Sequence, residues 1–166
     1  LGQVVMRGVS VSHCIPVGNG ADVELADTVA YLAEDPVCRA IVCVFEGVPS
    51  PPRLIAAVRL ATKREKPVIV YKMAVGRAGA DAALSHTGAL AGSHASYKAA
   101  LEDAGAVVVD QMEDLIETAL FFAKAGRPTG TGAAVVVSSG GLGVIAADKA
   151  EEFRVPLHQP TGRTLE

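Results

Sequence analysis

The chain has 166 residues, half of them apolar, and a formal charge of −3 with acidic and basic residues interspersed. Such a composition supports a sizeable core and excludes intrinsic disorder. With 4% aromatic residues, no tryptophan and no basic stripe, a nucleic-acid face is excluded too, and no apolar run reaches the ~20 residues of a membrane span.

In chain order, residues 1–8 read as the tail of a helix whose preceding strand is missing, and 9–15 as a strand. Residues 17–20 form a loop. Asp22 is placed to cap a helix whose stripe is Leu25, Val29 and Leu32, ending near Asp35-Pro36. Residues 40–45 read as a buried strand. Pro51-Pro52 opens a helix running to about residue 64, since proline is tolerated in a first helical turn. A strand is expected at 68–71, then a Gly/Ala/Ser stretch at 74–92 without a clear period. Helix 96–104, strand 106–109 and helix 111–124 follow. Residues 126–132 have the composition of a linker. Strand 133–137, a glycine-rich turn at 138–143 and helix 144–153 complete the series.

Short β-branched runs alternating with helices predict an α/β fold with a doubly wound parallel sheet. The expected division is a first domain at 1–125 lacking its first strand, the linker, and 133–166. That last piece either begins a second domain or supplies a β–α unit that completes the first. The whole reads as a fragment of a larger multidomain protein.

Three cysteines, Cys14, Cys38 and Cys43, form no CxxC pair and lie in or beside apolar runs, as reduced, buried, structural thiols do. Among the histidines, His13 and His158 read as packing or solvent residues, and His94 falls at a helix start. His86 stands apart, within Ser85-His86-Thr87-Gly88-Ala89-Leu90-Ala91-Gly92, a loop of tiny residues that allows backbone to approach a ligand closely. On spacing alone it reads equally as a surface histidine and a functional one. Glu46 follows an apolar strand and precedes Gly47. A carboxylate there can hold one ring nitrogen of a histidine and leave the other as nucleophile, although a solvated strand-end glutamate is the commoner case. Ser138-Ser139-Gly140-Gly141-Leu142-Gly143, between a strand and a helix, is an anion-binding arrangement of free N–H groups and helix dipole. It lacks the Gly-Lys-Ser/Thr ending of a Walker loop, and a plain tight β–α turn has the same form.

Taken together, these stretches resemble the NDP-forming acyl-CoA synthetases, the superfamily of succinyl-CoA synthetase and the ADP-forming acetyl-CoA synthetases. The resemblance is carried by Val17-Gly18-Asn19-Gly20-Ala21-Asp22-Val23, Val44-Phe45-Glu46-Gly47-Val48, Lys66-Pro67-Val68-Ile69-Val70, the Ser85–Gly92 loop and Val137–Gly143. It implies a flavodoxin-like ligase domain in which His86 is phosphorylated during turnover and Glu46 orients it. Ser139, Gly140 and Gly141 would hold the phosphate, with Gly18, Asn19, Ser85, Thr87 and Gly88 as further loop candidates. It further implies that CoA, ATP/ADP and Mg²⁺ are substrates of a full enzyme, with no cofactor or metal bound by this chain alone. The implied partners are CoA-binding and ATP-grasp domains or subunits and a small carboxylic acid or acyl-CoA. No nucleic acid or membrane partner and a cytoplasmic location are expected. Open sheet edges would favour self-association.

Two other readings stand beside it. One is a non-catalytic, acyl-CoA-sensing regulatory relative, which would not need His86 and Glu46. The other is a flavodoxin-type or receiver domain, for which no phosphate loop opens the chain.

Overall fold

The computed structural model describes residues 4, 6–8, 10–87, 92–126, 128, 130–159 and 161–162, with His86 and Thr87 described by backbone alone. The chain divides into two compact units, Leu1–Arg127 and Pro128–Glu166.

The first unit is built as α1 (Leu25–Glu34), β1 (Ile41–Phe45), α2 (Pro51–Lys63), β2 (Val68–Lys72), α3 (Arg77–Thr87), α4 (His94–Asp103), β3 (Val107–Val109) and α5 (Met112–Ala125). Its described strands form a parallel sheet in the order β1-β2-β3, with Ile41 opposite Val68, Phe45 opposite Lys72 and Ile69 opposite Val107. Helices lie on both faces, giving the doubly wound α/β arrangement that the alternating pattern predicts.

Alternation along the strands decides which side chain meets which layer. Ile41, Cys43, Phe45, Val68 and Val70 point into one core with Val29 of α1, Leu54 and Val58 of α2 and Leu101 of α4. Ile69 and Val109 point the other way and pack on Leu115 of α5. The central strand β2 is thus covered on both sides, which is why it reads as a continuous apolar run. β1 is buried on one face alone. Val42 and Val44 are exposed, contrary to the fully buried strand expected at 40–45.

Polar contacts fix how α1 sits. Glu24, rather than Asp22, is its N-cap, in a capping box with Asp27. Arg53 of α2 donates to Glu24 Oε1 and Asp27 Oδ1, each at 2.6 Å. At the other end Lys66 donates to the carbonyls of Leu32 and Asp35, meeting helix-terminal oxygens with a cation.

Other expectations are corrected. Residues 10–16 are exposed and form neither helix nor strand. A strand exists by pairing, and among the described residues this segment has no partner strand. Residues 77–87, inside the stretch without a clear period, form helix α3. Alanine-rich sequence favours helix through propensity alone and carries no apolar stripe to betray it. Ser85, His86 and Thr87 therefore lie on the last turn of a helix rather than in a loop, and Gly88 lies outside the described residues.

In the second unit the expected strand 133–137 is reduced to one parallel bridge, Ala133 with Leu157, because residues 134–137 find no pairing strand among the described residues of that unit. Helix α6 (Gly140–Glu152) begins at Gly140, four residues before the expected start, with Ser139 as N-cap. Gly140 and Gly141 thus occupy its first turn, and none of its residues is buried.

Candidate functional site

Parallel α/β sheets place their sites outside the carboxyl ends of the strands. There the first unit has a cleft of about 290 Å³ lined by Glu46, Met73, Ala74, Gly79, Ala82 and Ala83. Glu46 and Met73 are the residues following β1 and β2, and the strands stay locked up to this point, Met73 N–H donating to Phe45 O at 2.9 Å.

The opposite wall is α3, and its small residues allow the approach. A Cβ on Gly79 would lie 3.2 Å from Ala74 Cα, so the helix and the β2–α3 turn meet almost backbone to backbone. Ala74 makes that turn in the left-handed region at φ 56°, an uncommon conformation for a residue with a Cβ. Ala74→Gly is expected to stabilise the chain by about 1 kcal/mol by removing that strain. A chemical-denaturation midpoint measures it, and an unchanged or lowered midpoint would refute the strain.

Of the residues singled out in the sequence, Glu46 lines this cleft. His86 occupies a helix position one turn beyond Ala82 and Ala83. Ser85 donates its hydroxyl to Asp81 O at 3.0 Å, bonding back to its own helix. Gly18 (φ 56°) and Asn19 lie in a tight turn closed by Gly20 N–H to Val17 O at 3.2 Å. A Cβ on Gly20 would come 3.4 Å from Pro49 Cγ, so this turn sits beside the β1–α2 connection that starts at Glu46. Ser139, Gly140 and Gly141 belong to the second unit, at the start of α6.

The remaining histidines have local partners. His13 Nδ1 is 3.1 Å from Ser12 Oγ and 3.4 Å from Asp35 Oδ2. His94, on the first turn of α4, faces Asp110 with Nε2 3.7 Å from Oδ1, and Lys98 binds the same carboxylate at 3.0 Å. His158 Nε2 is 2.9 Å from Thr131 O.

Two residues were not singled out in the sequence. Lys72, the last residue of β2, is 1% exposed, and Tyr97 of α4 packs edge-on against Phe45 with ring centres 5.7 Å apart. A lysine closing an otherwise apolar strand was the available signal.

Among the described residues, no group of three or more His, Cys, Asp or Glu side chains is placed to hold a metal ion, and no helix is long and apolar enough to cross a membrane. Cys38 and Cys43 are buried, and burial pushes both thiols up, that of Cys43 to about 12. Cys14 is exposed, against expectation, because its segment is unpaired. A thiol reagent at neutral pH is therefore expected to modify Cys14 in the folded chain and spare Cys43. Equal labelling of the two would contradict this packing.

The sequence profile described as "Succinyl-CoA ligase like flavodoxin domain" matches residues 1–122. The chain belongs to that family. Its relatives include acetate–CoA ligase [ADP-forming] I of Archaeoglobus fulgidus, 39% identical over 151 residues, which are 91% of this chain and 22% of the relative. The alpha subunit of acetate–CoA ligase [ADP-forming] II of Pyrococcus furiosus is 34% identical over 99% of this chain and 35% of its own length. Among solved structures, an acetyl-coenzyme A synthetase 1 of Ca. Korarchaeum cryptofilum in complex with phosphate and ADP superposes with a TM-score of 0.87 at 30% identity. That match covers 96% of this chain and 35% of the other. This succinyl-CoA ligase-like domain thus spans between about a fifth and about a third of the length of these relatives.

Proposed function

We propose that this chain is the phosphohistidine-bearing domain of an NDP-forming acyl-CoA synthetase. The overall reaction converts a carboxylic acid, CoA and ATP to acyl-CoA, ADP and phosphate, reversibly. In the acyl-CoA-consuming direction, phosphate displaces CoA to give an acyl phosphate. A ring nitrogen of His86 then attacks phosphorus, and the carboxylate leaves as the free acid. Finally a terminal oxygen of ADP takes the phosphoryl group, regenerating the imidazole.

The observation that carries this reading is the position of Glu46. It lines the strand-end cleft whose other wall is α3, the helix on which His86 occupies the last turn. A carboxylate bonded to one ring nitrogen keeps the tautomer in which the other is a free nucleophile and stabilises the charged ring that forms. Ser139, Gly140 and Gly141, at the start of α6, are assigned to the phosphate through their N–H groups and the helix dipole. Gly18, Asn19, Ser85, Thr87 and Gly88 are assigned to the surrounding contacts. Residues 133–166 are read as the beginning of a second domain.

CoA-binding and ATP-grasp domains or subunits supply the remaining steps, so the chain alone is expected to be inactive in the full reaction. We place it in the cytoplasm, with Mg²⁺, CoA and nucleotide as substrates of the assembled enzyme.

The test mixes the full chain with its ATP-grasp partner region, Mg²⁺ and γ-labelled ATP. The reading predicts label on the chain that is lost in acid and retained in alkali. No label, with both components folded, would overturn it and favour an acyl-CoA-sensing regulatory role.

A further inference from the structure

Two polar side chains are buried among the described residues of the core, Thr28 and Lys72. Thr28 is accounted for by its own helix, its hydroxyl donating to Leu25 O at 2.8 Å. Lys72 is less fully accounted for, since an ammonium carries three donors. Its Nζ donates to Met73 O at 3.0 Å and sits 5.3 Å from the centre of the Tyr97 ring. Burial lowers its pKa, so the surroundings resist the charge. A methionine or leucine would fill the same space without that desolvation cost.

The place of this lysine is what gives it meaning. The carbonyl it holds belongs to Met73, a residue of the cleft wall, and the next residue is the left-handed Ala74. Lys72 pairs in register with Phe45, so Glu46 is the next residue along the neighbouring strand. The cleft therefore carries a carboxylate on one strand end, with a buried ammonium immediately behind the other. An oxyanion brought beside Glu46 without a counter-charge would be repelled.

We propose that Lys72 is the counter-charge of this cleft, a positioning residue that pins the Met73 carbonyl and lets a small oxyanion enter beside Glu46. The oxyanion is a phosphoryl or acyl phosphate group if the function proposed above holds, and the proposal rests on that reading for its biological ligand. The ammonium donates no proton in this role and forms no bond to phosphorus.

Sulfate is a suitable probe, because it stays dianionic at the pH values at which the protein is handled. Titrated into the full chain and followed by ¹H–¹⁵N NMR, it is expected to shift the amides of Met73, Ala74 and Gly79 and the Nζ resonance of Lys72 together. Lys72→Met is expected to weaken that binding at least about tenfold while the protein stays folded by circular dichroism. Equal sulfate affinity in Lys72→Met would overturn the proposal, and so would a wild-type titration that moves the cleft amides but not the Lys72 ammonium. The wild-type titration decides the matter even where the variant fails to fold. Phosphorylation of His86 is a separate readout. Its absence would sink the proposed function whatever sulfate does, and its presence with an unresponsive Lys72 would sink this inference alone.

Discussion

A chain carrying His86→Asn is expected to take up no phosphoryl label from the ATP-grasp partner, with its melting curve unchanged. The side chain removed is the proposed acceptor, and asparagine offers no nucleophilic nitrogen, so the effect is loss of the step and not a slower version of it. Glu46→Gln separates acceptor from orienting group. Glutamine can still hydrogen-bond to a ring nitrogen but does not stabilise the imidazolium, so labelling is expected to slow by about a hundredfold without vanishing. Rapid-quench time courses of the three proteins measure this. Full-rate labelling of Glu46→Gln would remove Glu46 from the mechanism, and labelling of His86→Asn would move the acceptor elsewhere.

The largest expected effect on stability is at Gly105, which joins α4 to β3. Its φ is 97°, and a Cβ there would lie 2.6 Å from Thr62 Oγ1 and 2.8 Å from Thr62 Cγ2. Thr62 has little room to withdraw, since its hydroxyl donates to Ala104 O at 3.0 Å. The two backbone bonds that close the turn, Gly105 N–H to Glu102 O and Ala106 N–H to Leu101 O, are each 2.9 Å long and fix the conformation. Gly105→Ala therefore adds left-handed strain of ~1–2 kcal/mol to overpacking of ~1–3 kcal/mol. Their sum, about 3 kcal/mol, lowers the melting temperature by about 10 °C. Gly126→Ala is the control, because Gly126 also has a positive φ, 70°, yet nothing lies within 4 Å of its Cβ position. Its ψ of −164° lies in a region that only glycine favours, so it is expected to show a backbone cost of about 1–3 kcal/mol with no clash beside it. A loss at Gly105→Ala no larger than the left-handed strain alone, about 1–2 kcal/mol, would show that the contact with Thr62 yields.

Much of this fold was legible in the sequence because its core elements carry strong local signals. Pro51-Pro52 marks the start of α2, and the apolar runs at 40–45, 68–71 and 106–109 mark the three described strands to within a residue. What the sequence concealed follows from physics that is not local. Residues 9–15 look like a strand in the sequence, yet strand formation depends on a neighbour's hydrogen bonds and not on β-branched composition. α3 shows no period because alanine and glycine provide no contrast between faces, although alanine favours helix everywhere. Val42 and Val44 are apolar but exposed, since burial is set by what packs on the sheet and not by the residue.

The site was legible in part. Glu46 stands out as a charge at the end of an apolar run, and it does line the cleft. The cleft itself could not be read, since it depends on the near-contact of Gly79 with Ala74. Lys72 escaped notice because a lysine at a strand end ordinarily reaches solvent, and only the packing of Phe45 and Tyr97 shows that this one does not.

If a phosphoryl group travels on His86, it can be located there. The full chain, phosphorylated in the presence of the ATP-grasp partner and Mg²⁺, would be digested and sequenced by tandem mass spectrometry under mildly alkaline conditions that preserve phosphohistidine. The added phosphoryl mass is expected on His86, and it is expected to disappear when ADP is supplied. A phosphoryl group on His13, His94, His158 or a hydroxyl residue instead, or one on His86 that ADP fails to remove, would contradict the proposed role of His86.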